Sequence, residues 1–137
     1  ADYETKSAYT IIINASVGNK TASKDVSVLV TNLNDNEPII VSGAVGSIYE
    51  QKDISTVIYD ATATDVDGDT ITYSVSGTDS NEVEINSQTG EITLLQSANY
   101  NGKSSYSLTV EASDGTFSDT QEVTVSVLNI NDAPKIT

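Results

Sequence analysis

Apolar and polar residues alternate along two stretches, Asp25-Val26-Ser27-Val28-Leu29-Val30-Thr31 and Gln121-Glu122-Val123-Thr124-Val125-Ser126-Val127. A period of two puts Val123, Val125 and Val127 on one face of a strand, which the pattern predicts to be a core face. Upstream, Tyr9-Thr10-Ile11-Ile12-Ile13-Asn14-Ala15 is apolar and β-branched, and Val17-Gly18-Asn19-Lys20 is a turn signal. Together they predict a β-hairpin within the first 33 residues. Further strands are predicted at Ile39–Val41, resuming at Ser47–Tyr49, and at Thr56–Ala63 and Thr70–Val75. Val83–Ile85, Gly90–Leu95 and Ser105–Glu111 follow, before the closing strand at Gln121–Val127. About seven strands with a turn every 8–12 residues is the pattern of an all-β, immunoglobulin-like antiparallel sandwich.

The hairpin occurs twice. Ala98 to Asp132 aligns with Ala1 to Asp35 without a gap, a repeat of about 97 residues. Tyr3 meets Tyr100, Lys6-Ser7 meets Lys103-Ser104, and Tyr9 meets Tyr106. Val26, Val28 and Val30 meet Val123, Val125 and Val127, and Asn34-Asp35 meets Asn131-Asp132. The chain is therefore expected to comprise the last hairpin of a preceding repeat (1–33), a linker (34–38), one complete repeat (39–133) and the start of the next linker (134–137). It reads as a piece of something longer. A lone hairpin is marginal in water and leaves edges unpaired, so a swapped or edge-paired dimer with another copy is a further expectation.

Composition narrows the chemistry. Twenty acidic and 6 basic residues give a net charge of −14, which argues against nucleic acid and against anionic membranes. No run of apolar residues approaches a transmembrane span. The absence of Cys and His removes disulfides, thiolate sites, the usual zinc ligands and the Ser-His and Cys-His nucleophile pairs. What remains is oxygen chemistry, suited to hard cations.

Oxygen donors cluster where strands end. Asn34-Asp35-Asn36-Glu37-Pro38 sets oxygen-bearing side chains before a rigid proline, a way to hold a cation between two domains. Asp65-Val66-Asp67-Gly68-Asp69 alternates carboxylates around a glycine, so that several oxygens can converge on one ion. An ordinary Asp-Gly turn accounts for that stretch equally well. Asp114-Gly115 is also a turn, but its repeat counterpart is Val17-Gly18, so the turn does not require the carboxylate. Asp2-Tyr3-Glu4 has the uncharged counterpart Asn99-Tyr100-Asn101, and Glu50 is a lone acid after Ile48-Tyr49.

In order, these motifs resemble those of extracellular cadherin repeats, specifically the cadherin-like repeats of bacterial surface proteins. The matching stretches are Glu50, Ala63-Thr64-Asp65-Val66-Asp67, Asn99-Tyr100-Asn101, Ala112-Ser113-Asp114-Gly115, and the linkers Asn32–Pro38 and Asn129–Pro134. The resemblance covers nearly the whole chain and implies a Greek-key sandwich with calcium between consecutive repeats. Its ligands would be Asp2, Glu4, Asn34, Asp35, Asn36, Asp65, Asp67 and Asp114. Glu50, Asn99, Asn101, Asn131 and Asp132 would serve an incomplete second junction. Two departures stand out: Asn32 replaces the acid that opens the linker motif, and no first-strand Glu precedes Asp2. The function implied is a calcium-rigidified rod of tandem repeats that supports homophilic or other adhesion at a membrane-associated, extracellular surface. Its partners would be neighbouring repeats, without direct insertion into the membrane.

Two other classes fit less well. A carbohydrate-binding module, taking surface polysaccharide, would use an aromatic platform. Tyr49, Tyr59, Tyr73, Tyr100 and Tyr106 are available for one, but no Trp is. A glycosidase needs paired carboxylates in a cleft. Asp65, Asp67 and Asp114 are more simply metal ligands, so the chain is expected not to be an enzyme.

Overall fold

The computed structural model describes residues 1–131 and Ile136. It divides into two compact units, Ala1–Asp35 and Asn36–Thr137. The first is built on β1 (Ala8–Val17) and β2 (Lys20–Leu29), paired antiparallel from Ala8↔Leu29 to Val17↔Lys20. Gly18 closes the two-residue turn at φ +58°, a backbone region that glycine enters without a Cβ penalty.

Among the described residues the second unit contains nine strand segments: β3 (Ile39–Ile40), β4 (Val45–Tyr49), β5 (Val57–Asp60), β6 (Ala63–Thr64), β7 (Thr72–Ser76), β8 (Val83–Ile85), β9 (Glu91–Leu94), β10 (Ser105–Ser113) and β11 (Ser118–Leu128). A single 3-10 turn, Ser80–Glu82, is the one helical element among the described residues. One sheet has the order β4-β11-β10-β7, and a second has β5-β9-β8. The two inner faces enclose one core, with Ile48, Tyr106, Leu108, Val110, Val123, Val125 and Val127 against Ile58, Val83, Ile92 and Leu94. The alternation along β11 thus places its valines where the period-two pattern predicts.

The two hairpins share one register. Tyr9 faces Val28 and Ile11 faces Val26 in β1–β2, while Tyr106 faces Val125 and Leu108 faces Val123 in β10–β11. Their burial differs. Leu108 is 2 % exposed inside the sandwich, whereas Ile11 is 48 % exposed on its two-stranded ribbon.

Two strand expectations need correcting. The sandwich is not wholly antiparallel, because β4 runs parallel to β11 from Thr124↔Val45 to Leu128↔Tyr49. The first strand changes sheets at Ser42–Gly43: β3 pairs with β6, and β4 then joins the last strand in the same direction. The second predicted strand, Thr56–Ala63, is broken. Its pairing with β9 shifts between Val57 and Tyr59, and it leaves the ladder after Asp60. There Gly90, at φ +83°, crosses so close to Ala61 that a Cβ on it would sit 2.2 Å from the Ala61 carbonyl oxygen.

Candidate metal centre

The loop joining β6 to β7 carries Asp65, Asp67 and Asp69. Asp65 Oδ1 accepts hydrogen bonds from the backbone N–H of Gly68 (3.0 Å) and Asp69 (3.3 Å), which curls the loop around its own carboxylate. Gly68 permits the curl at φ +80°. Asp67 is buried, and its two oxygens accept the backbone N–H and the side-chain amide of Asn36 at 2.8 and 2.9 Å. Asn36 therefore ties the linker to the loop within this unit. In the turn between β10 and β11, Asp114 Oδ1 accepts the N–H groups of Thr116 and Phe117, both at 2.7 Å.

These groups converge. One carboxylate oxygen from each of Asp65, Asp67 and Asp69 lies within 4.8 Å of the others. Oxygens bound to one calcium ion at 2.3–2.6 Å are at most about 4.6–5.2 Å apart, so the spacing fits that ion. Desolvation raises the Asp69 pKa above the ordinary aspartate value, and the negative charges of Asp65, Asp67 and Asp114 push it the same way. Asp65 Oδ2 is buried without a hydrogen-bond partner. A buried carboxylate oxygen left in that state costs free energy that a bound cation would recover. The donor set is all oxygen and anionic, as a hard divalent ion requires.

Of the residues expected at this junction, Asn36, Asp65, Asp67 and Asp114 lie in the second unit, and Asp2, Glu4, Asn34 and Asp35 in the first. Asp2 closes a local turn, with Oδ1 accepting the N–H groups of Glu4 and Thr5 and Oδ2 accepting the Thr5 hydroxyl at 2.7 Å. The Thr5 hydroxyl is the main cause of its lowered pKa. Asn34 Oδ1 is a second buried oxygen without a hydrogen-bond partner. Asp69 joins this cluster although it is not among the expected ligands, which end in this loop at Asp67. Of the second-junction residues, Glu50 is buried, Asn99, Asn101 and Asn131 are exposed, and Asp132 lies outside the described residues.

The aromatic-platform alternative loses most of its tyrosines to the core. Tyr59 and Tyr106 are buried, and Tyr59 donates its hydroxyl to the Gly43 carbonyl at 2.6 Å. Tyr73 packs against the core and accepts the Ala63 N–H at 3.0 Å.

A second charged cluster is structural. Lys103 pairs with Asp79 and with Glu82 (2.7 Å) and lies 5.1 Å from the centre of the Tyr106 ring. Asp79 also accepts the Ser107 N–H at 2.6 Å. The Lys103 hydrogen bond, then that of Ser107, holds the Asp79 carboxyl below its ordinary pKa. A folded-state pKa below the unfolded one stabilises the fold above the unfolded pKa of 3.8, and the gain is lost as pH falls through the folded value. Asp79→Ala is expected to cost about 1–2 kcal/mol at neutral pH. The difference from the parent should shrink below about pH 4. Urea unfolding of both proteins across pH 2–7 measures this, and a gap that does not depend on pH would contradict it.

Comparison with known proteins agrees with this architecture. The Cadherin domain family model matches residues 44–128. Protocadherin Fat 4 from Mus musculus is 33% identical over 143 residues, covering 96% of this chain. Protocadherin Fat 2 from the same species is 36% identical, covering 98%. The chain spans 3% of the length of each of these two relatives. Among solved structures, extracellular domains 1–5 of protocadherin gamma B2 superpose with a TM-score of 0.84 at 26% identity, over 96% of this chain and 27% of that one. Domains EC22–24 of mouse cadherin-23 superpose with a TM-score of 0.78 at 27% identity, over 96% of this chain and 46% of that one. Relatives from Mus musculus, Homo sapiens and Drosophila melanogaster give no support to a bacterial origin. The chain belongs to the cadherin domain family, as a repeat similar to those of protocadherin extracellular domains.

Proposed function

We propose that the second unit binds calcium through Asp65, Asp67, Asp69 and Asp114, with Asn36 drawing the linker to the same place, and that the ion stiffens a tandem array used in adhesion. The convergence of three carboxylate oxygens within 4.8 Å, one of them on the buried Asp67, carries this reading. Without a cation the four aspartates repel one another. With calcium the repulsion turns into shared coordination, and the loops bearing Asp65 and Asp114 are held together. Asp2, Glu4, Asn34 and Asp35 are the ligands that the family resemblance adds. The common register of the two hairpins supports residues 1–33 as the end of a preceding repeat and 39–133 as one complete repeat. In the longer protein the partners would be neighbouring repeats and apposed copies of the same adhesion protein.

A thermal melt tests the calcium reading. Extracellular calcium modules bind with dissociation constants of about 10⁻⁴–10⁻³ M. Calcium at about ten times that value adds roughly 1.4 kcal/mol, which raises Tm by about 5–10 °C for a domain of this size. Magnesium, which keeps its waters and demands tighter geometry, should give little of that rise. Equal melting temperatures in EDTA and saturating calcium would remove the proposal.

A further inference from the structure

We propose that Asp119 is a positioning residue for the ion site: it holds β3 in register, and that register sets Asn36 against Asp67. The consequence for calcium rests on the reading above, whereas the register stands on hydrogen bonds alone.

β3 joins the linker to the sandwich, and β6 runs directly into the acid loop. Their ladder is only two pairs long, Ile39↔Thr64 and Ile40↔Ala63. Three residues outward from it on each strand stand Asn36 and Asp67, whose hydrogen bonds continue the same antiparallel register. A slip of one residue in either direction would put a carboxylate, Asp35 or Glu37, in the place of the Asn36 amide. The ligand set therefore depends on a very short ladder. Burial does little to fix it. Ile39 is 53 % exposed, and Pro38, although buried, has no N–H to give a partner.

Asp119 supplies the missing hold. The Val41 N–H donates to the Thr62 carbonyl just before β6, at 2.8 Å, whereas the Ile40 N–H donates to Asp119 Oδ2, also at 2.8 Å. Asp119 Oδ1 accepts the Thr120 N–H at 2.8 Å, which orients the carboxylate. This contact is in register as well. The parallel β4–β11 ladder begins at Val45↔Thr124, and five residues back along each strand stand Ile40 and Asp119. Before Val45 the chain has moved across to β6, and the Asp119 side chain bridges the gap as acceptor. A bond to an ionised acceptor is stronger than the backbone bond that it replaces. Asp119 also lies on the strand that leaves the Asp114 turn. One carboxylate, itself no ligand, ties that strand to β3 and through β3 to the acid loop.

Calorimetric titration and amide hydrogen exchange on the whole chain test this. Asp119→Ala should weaken calcium binding about tenfold. In EDTA it should speed exchange at the Ile40 and Asn36 N–H groups by at least about tenfold, and at the core Val110 N–H far less. Asp119→Asn keeps an acceptor oxygen for Ile40 and should return both readouts to within about threefold of the parent. That rescue separates a hydrogen-bonding role from the mere loss of a negative charge. The parent's affinity in Asp119→Ala would overturn the proposal, as would equal losses in the two variants. Exchange that quickens alike at Asn36, Ile40 and Val110 would also overturn it, as a general loss of stability. If the parent itself binds no calcium, the ion reading fails, and Asn36 exchange in EDTA still decides whether Asp119 sets the register.

Discussion

Leu108→Ala is expected to remove about 3–4 kcal/mol from the unfolding free energy of the sandwich, while Ile11→Ala shifts the same transition by less than about 0.5 kcal/mol. The two residues occupy one position of the repeat and one register of the hairpin. Leu108 sits between the sheets among Val110, Val123 and Val125, so truncation leaves a cavity whose walls are themselves packed. Ile11 has solvent where Leu108 has β-strands, so its loss opens no cavity. Urea denaturation followed by far-ultraviolet circular dichroism measures both. Similar losses at the two sites would show that burial, and not repeat position, has been misjudged.

That pair also shows how far the sequence could be read. Ile11 and Leu108 were legible as equivalents because the hairpin recurs with its valines in phase. The core face was legible because a strand's alternation reports its sidedness. Direction was not. The residue pattern of Val45–Tyr49 is the same beside a parallel or an antiparallel neighbour, so the β4–β11 pairing could not be read from it. Nor was the break after Asp60, because Thr56–Ala63 is rich in strand-forming residues and the close crossing of Gly90 over Ala61 is made from far along the chain. The acid loop is legible, but Asp69 stands just before the predicted strand Thr70–Val75 and outside the stretch Ala63–Asp67 that carries the family resemblance. Glu50 was visible as a carboxylate, but the donors that hold it lie 50 and 80 residues away. Long-range backbone donors leave no local signal.

Asp67→Asn should have opposite effects in the two ionic conditions. In EDTA the change removes one of several mutually repelling charges. Asn36 can turn its amide to match, so the melting temperature should stay level or rise. In calcium the ion loses its buried ligand, and affinity should fall about 100-fold, equivalent to about 2.7 kcal/mol. Titration by calorimetry gives the affinity, and paired melts give the change of sign. A variant that keeps the parent's affinity would show that Asp67 serves only to anchor Asn36.

The parallel pairing of β4 with β11 has a mechanical consequence. β4 enters the sandwich near the start of the repeat, and β11 leaves at its end, running the same way. Tension applied through the chain on either side pulls these neighbours past each other along their length. The ladder from Thr124↔Val45 to Leu128↔Tyr49 then carries the load as one unit in shear, and its bonds cannot open one at a time as in a peeled hairpin. A repeat wired in this way resists stretching at the place where force enters it, a useful property for a link in a chain between two pulling surfaces.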